Sequence, residues 1–219
     1  MSSSASLFDT LEARGLVAQA VDPLALRAHL MERPRCIYAG YDPTAPSLHI
    51  GHLVPLLALR RAREAGHIPI AVIGGATGLI GDPSFKATER QLLDRATVVR
   101  SCEAIQRQVC QVLELDGSNR GRIVNNLEWT DYLDLVEFLR DRGKHFSVNA
   151  MIRRDSVRAR LERERGGISF TEFSYMLLQA NDFLELCKRH DCSVQLGGSD
   201  QWGNIVSGID LIRRVLNRQ

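Results

Sequence analysis

Two histidines three residues apart, in His49-Ile-Gly51-His52, open an apolar stretch that reads as a helix from about His49 to Ala65. At that spacing they share one face of its first turn. A helix start carries unpaired N–H groups and a partial positive charge, which suits a phosphate. Imidazoles placed there can donate hydrogen bonds to a phosphoryl group as its charge grows. Gly51 leaves room for a flat ring to lie on the backbone. The plain alternative is two histidines that merely cap a helix.

A second constellation is Tyr175, Gln179 and Asp182. Their i, i+4, i+7 spacing lines one helix face. Their neighbours Phe173, Met176, Leu177, Leu178, Phe183 and Leu184 are apolar. A polar stripe on so apolar a helix must be hydrogen-bonded to something. One candidate partner is a ligand bearing an ammonium and a phenol; the other is the protein itself. A third constellation, Gly197-Gly198-Ser-Asp200-Gln201, opens another helix. Its glycines permit close backbone approach, and Asp200 is either a ligand contact or a first-turn acid. Lys86 and Arg90 follow the glycine-rich stretch Gly74 to Asp82 and read as anion contacts or as plain surface charge.

The elements that must position these residues alternate. Residues 7–33 read as two short helices, the second capped by Asp22 with Pro23 at its first position. Cys36 to Tyr41 is β-prone, and the turn-rich Asp42-Pro-Thr-Ala-Pro-Ser leads into the histidine helix, which Gly66 ends. Ile68 to Ile73 is a continuous apolar run, as in a buried parallel strand. After the glycine-rich loop, Thr88-x-x-Gln91 is a capping-box pattern for a long helix to about Leu113. Arg122 to Asn126 and Ser193 to Leu196 read as further strands, residues 131–190 as mostly helical with a loop at Gly166-Gly167, and the last helix runs to about Leu216. This is a doubly wound α/β pattern with a helical insertion at about 127–190. Ligands in such sheets sit beyond the carboxyl ends of the strands, where the histidine pair, the glycine-rich stretch and the Gly197–Gln201 motif lie.

Composition excludes several classes. The chain has 219 residues, 44% of them hydrophobic and 25% charged, as in an ordinary globular protein. Its formal net charge of +2 excludes a strongly basic, histone-like binder. All but three of its 28 basic residues are arginine; the lysines are Lys86, Lys144 and Lys188. Five cysteines with no CxxC read as reduced thiols of a cytoplasmic protein, with no metal site. The start lacks a signal-peptide pattern, and the most apolar stretch, Ile68 to Gly81, is too short and glycine-rich to span a membrane.

The stretch Tyr38-Ala-Gly40-Tyr-Asp42-Pro-Thr44-Ala-Pro-Ser-Leu-His49-Ile-Gly51-His52 resembles the signature of class I aminoacyl-tRNA synthetases, and its spacing from Tyr38 to Thr44 is similar to the bacterial-type tyrosyl members. The resemblance continues through Gly74–Ser84, Ile168–Tyr175 and Gln195–Asn204. It implies a Rossmann-like catalytic nucleotide-binding domain over 1–219, with no anticodon-binding or C-terminal RNA-binding domain. The implied reaction is tyrosine activation with ATP and transfer to the 3′ end of tRNA(Tyr). Tyr175, Gln179 and Asp82 would take the tyrosine ammonium, Asp182 and Tyr38 its phenol, and Gln201 its carboxyl region. Asp200 would hold the ATP ribose beside Gly198, with Gly40, Asp42 and Gly51 also on the nucleotide. Thr44, His49 and His52 would serve the reacting phosphates, while Lys86 and Arg90 close over pyrophosphate. Mg²⁺ would travel with ATP. Two basic runs, 153–165 and 207–219, would meet the tRNA acceptor stem, and Phe170 with the helical insertion would build a homodimer. The lysine-bearing second signature of this class, KMSKS or a KFGKT-like form, is missing before Gln219, so a chain that binds tyrosine but activates it poorly is expected. A tryptophanyl enzyme has no use for Asp182 facing a phenol. A nucleotidylyltransferase has no use for the Tyr175/Gln179/Asp182 stripe. A non-catalytic RNA-binding or dimerisation module derived from a synthetase is the remaining alternative.

Overall fold

The computed structural model describes residues 6–82, 92–113, 115, 119–162 and 167–218. Four strands form one parallel sheet, β1 (Cys36–Tyr41), β2 (Ile68–Ile73), β3 (Arg122–Asn125) and β4 (Cys192–Gln195). Their spatial order is β3-β2-β1-β4. Five of the six β2 residues are buried, which is why that run carries no polar side chain. The chain winds outward from β1 to β3 and then returns to the other side of β1. That reversal opens a crevice beyond the carboxyl ends of β1 and β4.

Alternation along the strands divides the core into two layers. Ile37, Ala39 and Tyr41 pack with α1 (Leu7–Glu12), α2 (Pro23–Glu32), α3 (Ile50–Glu64) and α5 (Arg95–Val112). Tyr38, Ile70 and Val72 pack on the opposite face with α6 (Leu127–Thr130), α10 (Phe170–His190) and α11 (Trp202–Leu216). The doubly wound arrangement follows. Helix ends use local polar groups, at Asp22 as the sequence indicates. Asp22 accepts from the Ala25 N–H at 2.9 Å, and Ser169 accepts from the Glu172 N–H at 3.2 Å. Gly66 ends α3 at φ +89, a conformation that costs a glycine little.

Three expectations change. The long helix after the glycine-rich stretch starts at Arg95 rather than near Thr88, because Asp94 caps it and accepts from the Thr97 N–H at 2.9 Å. Residues 92–94 precede it without helical structure. Thr88 and Gln91, with Lys86 and Arg90, lie outside the described residues. The glycine-rich stretch is not all loop: α4 (Thr77–Ile80) is a single turn that stops at Gly81, φ +86. The last helix opens through a tighter 3₁₀ turn, Ser199–Gln201. Between β3 and β4 the chain also forms α7 (Leu135–Asp141), a 3₁₀ turn at Gly143–His145, α8 (Val148–Ile152) and α9 (Asp155–Leu161).

Tyr41 and Tyr38 leave β1 on opposite faces, and both hydroxyls are buried without a hydrogen-bond partner among the described residues. Tyr38 faces the crevice side, but Tyr41 sits in the aliphatic layer under α3. A buried orphan hydroxyl costs about 1 kcal/mol or more. Tyr41→Phe is therefore expected to leave stability unchanged or raise it. Its denaturation midpoint is the check, and a marked fall would mean that the hydroxyl has a partner.

Candidate active site

His49 and His52 form a reciprocal cap at the start of α3. His49 Nδ1 accepts from the Gly51 N–H at 3.1 Å, and His52 Nδ1 accepts from the His49 N–H at 3.2 Å. The rings stack with centroids 3.8 Å apart. A nitrogen that accepts carries no proton, so each neutral ring is protonated on Nε2. That leaves an Nε2–H on both rings for a ligand. Burial, and the neighbouring His49, push the His52 pKa down and favour this neutral form. A Cβ on Gly51 would stand 2.9 Å from His49 Cε1, so the ring that this glycine accommodates here is His49 itself. Thr44 lies exposed in the preceding turn, its N–H bonded to the Asp42 carbonyl at 2.9 Å.

The polar stripe on α10 finds protein partners, linked in a continuous chain. Tyr175 Oη donates to Asp42 Oδ2 at 2.7 Å, and Thr77 Oγ1 donates to Asp42 Oδ1 at 2.6 Å. Asn126 Nδ2 reaches both Thr77 Oγ1, at 3.1 Å, and Asp182 Oδ2, at 3.0 Å. Trp129 Nε1 donates to Asp182 Oδ1 at 2.7 Å. Gly74 is required here, since a Cβ would stand 2.0 Å from Asp42 Oδ1. Burial pushes the Asp182 carboxyl up to about 7, opposed by the Asn126 and Trp129 donors and reinforced by Asp42 and Glu185.

A second network closes the other side. Gln179 Nε2 donates to Gln201 Oε1 at 3.2 Å. Gln201 Nε2 donates to Asp82 Oδ2 at 2.7 Å and to Asp200 Oδ2 at 2.9 Å. Gly198 admits the Asp200 carboxylate, because a Cβ would meet Asp200 Oδ1 at 2.3 Å. Gly40 is the exposed position of β1, and a Cβ there would meet nothing within 4 Å. Three buried polar atoms on β1, α10 and β4 have no partner among the described residues: Tyr38 Oη, Gln179 Oε1 and Gln195 Oε1. Tyr38, in the middle of β1, is the ladder partner of Gln195, the last residue of β4. Burial, with Asp182 nearby, pushes the Tyr38 pKa well up, so its hydroxyl stays protonated.

The structure thus gathers Tyr38, Asp42, Tyr175, Gln179 and Asp182 with Asp82, Asp200 and Gln201 around the β1/β4 crevice. Sequence reading missed Gln195, Asn126, Thr77 and Trp129. Gln195 left only a weak signal, a polar side chain at the carboxyl end of β4; the other three had none beyond their place after a strand. The basic run 153–165 changes most. Arg160 is buried in a two-pronged pair with Glu172, at 2.9 and 3.2 Å. Arg154 bonds to the Gly203 carbonyl and Ser207 hydroxyl of α11. Neither guanidinium can serve a phosphate without breaking those contacts. Arg153 and Arg158 are exposed, and Arg163 and Arg165 lie outside the described residues. In the run 207–219, Arg213 and Arg218 pair with Asp210 and Asp191, at 3.9 and 3.5 Å, and Arg214 bonds to the His145 carbonyl.

A doubly wound parallel sheet whose polar crevice lies at the reversal of strand order defines a Rossmann-like α/β fold with its ligand crevice at the usual place. The family described as tRNA synthetases class I (W and Y) matches residues 31–219, and this chain belongs to it. It is 56% identical to a tyrosine–tRNA ligase of Laribacter hongkongensis over 99% of this chain and 51% of that protein. Identity to the corresponding ligase of Neisseria meningitidis is 54%, over 98% of this chain and 50% of that one. The chain spans about half the length of the curated relatives it matches. A C-terminally truncated mitochondrial tyrosyl-tRNA synthetase from Aspergillus nidulans superimposes with a TM-score of 0.91 at 32% identity, over 100% of this chain and 64% of that one.

Proposed function

We propose that this chain carries the tyrosine-activating site of a tyrosine–tRNA ligase: tyrosine and ATP give tyrosyl-adenylate and pyrophosphate, and the tyrosyl group then passes to the 3′ end of tRNA(Tyr). The observation that supports this best is the set of orphaned buried atoms, Tyr38 Oη, Gln179 Oε1 and Gln195 Oε1, with Tyr38 near the Asp182 carboxylate. Unpartnered buried polar groups are costly, and a polar ligand relieves them. A phenol can donate to Asp182 and accept from Tyr38. An ammonium can donate to Gln179 Oε1, with Asp82 and Tyr175 near it by resemblance to the family. Gln201 would face the carboxyl group.

The tyrosine carboxylate would attack the α-phosphorus directly, since an anion needs no general base. Catalysis then rests on positioning and on donors aimed at growing phosphoryl charge. The Nε2–H groups of His49 and His52, with Thr44, would face the transferring and leaving phosphates. Gly40, Asp42, Gly51, Gly198 and Asp200 would line the nucleotide, Asp200 on the ribose. Lys86 and Arg90 would close over pyrophosphate. Mg²⁺ would arrive on the ATP phosphates, and no side chain is assigned to it. The proposed domain is 1–219, with an insertion at about 127–190. A homodimer is supported by exposed apolar side chains in that insertion: Tyr132 is 87%, Leu135 70% and Phe170 79% exposed. Free cysteines throughout are compatible with a reducing cytoplasm. No described helix is long and apolar enough to cross a membrane.

Calorimetry with tyrosine and phenylalanine tests the proposal. Tyrosine should bind and phenylalanine should bind far more weakly; equal binding would sink it. The pH dependence has a defined sign. The free carboxyl of Asp182 titrates at about 7. A phenol donates to its ionised form, so binding lowers that pKa. Tyrosine affinity should therefore be full above pH 7 and fall, by up to about tenfold per unit, as pH drops below it. A titration from about pH 5 to 8 checks this.

A further inference from the structure

Trp129 meets the site with one edge and the Arg189 guanidinium with one face. Its Nε1 donates to Asp182 Oδ1 at 2.7 Å, and the ring is buried in the layer with Tyr38 and Phe183. Over its ring lies the Arg189 guanidinium, 5.6 Å from the centroid. Arg189 stands on the last turn of α10, seven residues beyond Asp182, so helix spacing puts both on one side of α10. The same guanidinium lies 3.2 Å from Glu185 Oε2 through its Nε. Glu185 also meets Lys188 at 3.1 Å and Arg142 at 3.8 Å.

We infer that Arg189 is a positioning residue for phenol recognition: it holds the Trp129 indole so that Nε1–H stays aimed at Asp182. This deepens the tyrosine reading above and rests on it. The physical basis is the ring quadrupole. A cation over the π-face is attracted to it, which fixes the plane of the indole, and it draws electron density from the ring, which strengthens the N–H as a donor. An indole free to tilt would turn Nε1 off the carboxylate. Asp182 would then lose one of its two donors while still facing Asp42 and Tyr38 from the β1 side and Tyr175 and Glu185 from its own helix. A carboxylate with fewer donors takes a proton more readily, and a protonated carboxyl tells a phenol from a phenyl ring less sharply.

The test is competition binding of tyrosine and phenylalanine to the wild type, Arg189→Ala, Arg189→Lys, Trp129→Phe and the Arg189→Ala/Trp129→Phe pair. Arg189→Ala should narrow the tyrosine-to-phenylalanine affinity ratio about two- to fivefold. It should also move the pH midpoint of tyrosine binding upward. Arg189→Lys, which keeps a cation for the ring, should recover much of the ratio. In the Trp129→Phe background, removing Arg189 should change nothing further. An equal narrowing in that background would assign the effect to the Glu185 charge and overturn the inference. Should Trp129→Phe not fold, near-ultraviolet circular dichroism of Arg189→Ala decides instead: weakened tryptophan bands are expected, and an unchanged spectrum overturns the inference. A wild type that prefers tyrosine with a ratio unmoved by Arg189→Ala overturns the inference alone. A wild type that binds both amino acids equally overturns the tyrosine reading and the inference with it.

Discussion

His49→Ala is expected to slow tyrosyl-adenylate formation about 10²- to 10³-fold and to leave tyrosine affinity within about twofold. His49 caps α3, and its Nδ1 is taken by the Gly51 N–H, so Nε2–H is the group left for a ligand. The stack with His52, at 3.8 Å, holds that ring in place before any substrate arrives. A preorganised donor that meets charge only as the phosphoryl group reacts stabilises the transition state and not the amino-acid complex. Losing the cap alone costs helix stability of about 1 kcal/mol, which is a separate effect. His49→Ser separates the two, because serine is a good cap and has no imidazole. Single-turnover adenylate formation is the measurement, on a chain extended over the length its relatives have. Both variants should be slow, but only the alanine variant should melt early. A serine variant at wild-type speed would reduce His49 to a cap.

The same residues show what a sequence discloses and what it withholds. The boundaries of β1 and β2 were legible because both are short apolar runs with glycine, proline or a turn beside them, and a buried parallel strand has no other pattern to offer. The α10 stripe was legible because three polar residues at helical spacing cannot sit among Phe183, Leu184 and Met176 unaided. Their partners were not legible. Tyr175 meets Asp42, more than a hundred residues away in the chain, and Asp182 meets Asn126 and Trp129. Such pairings depend on how the strands are ordered, which local periodicity does not encode. The arginine-rich run misled for the opposite reason. Charge read along the chain looks free to meet phosphates, yet Arg160 turns inward because Glu172 waits in the first turn of α10. The helix expected at Thr88 was displaced by a second cap, Asp94 with Thr97, that fits the same rule.

Asp182→Asn is expected to weaken tyrosine binding about tenfold, to narrow its margin over phenylalanine by at least as much, and to flatten the pH profile. Asp182 is buried, accepts from Trp129 and Asn126, and lies close enough to Tyr38 to raise its pKa. A phenol donating to the carboxylate makes a charge-assisted bond, and the same phenol on an amide oxygen makes a neutral one. That difference is about 1 to 1.5 kcal/mol, roughly tenfold in affinity. Phenylalanine brings no donor. It leaves the carboxylate to be neutralised by a proton or to stay unpaired, and an amide spares it that cost. The amide has a further consequence. Its NH₂ must face either Trp129 Nε1 or Asn126 Nδ2, donor against donor, so one of those bonds is lost. Asn126 would then be the more adaptable partner, since it already donates to Thr77 at 3.1 Å. The pH profile is the decisive part. An asparagine has no proton to exchange, so the fall in tyrosine affinity below pH 7 should vanish even though the affinity itself is lower. Calorimetric competition of the two amino acids, on wild type and variant at several pH values, reads all three outcomes. A profile still bending near pH 7 in the variant would place the titrating group elsewhere, and His52, whose pKa burial pushes down from the ordinary histidine range, would not explain a bend so high. An unchanged affinity ratio would mean that Asp182 does not read the phenol, and the crevice between β1 and β4 would lose its strongest tie to tyrosine.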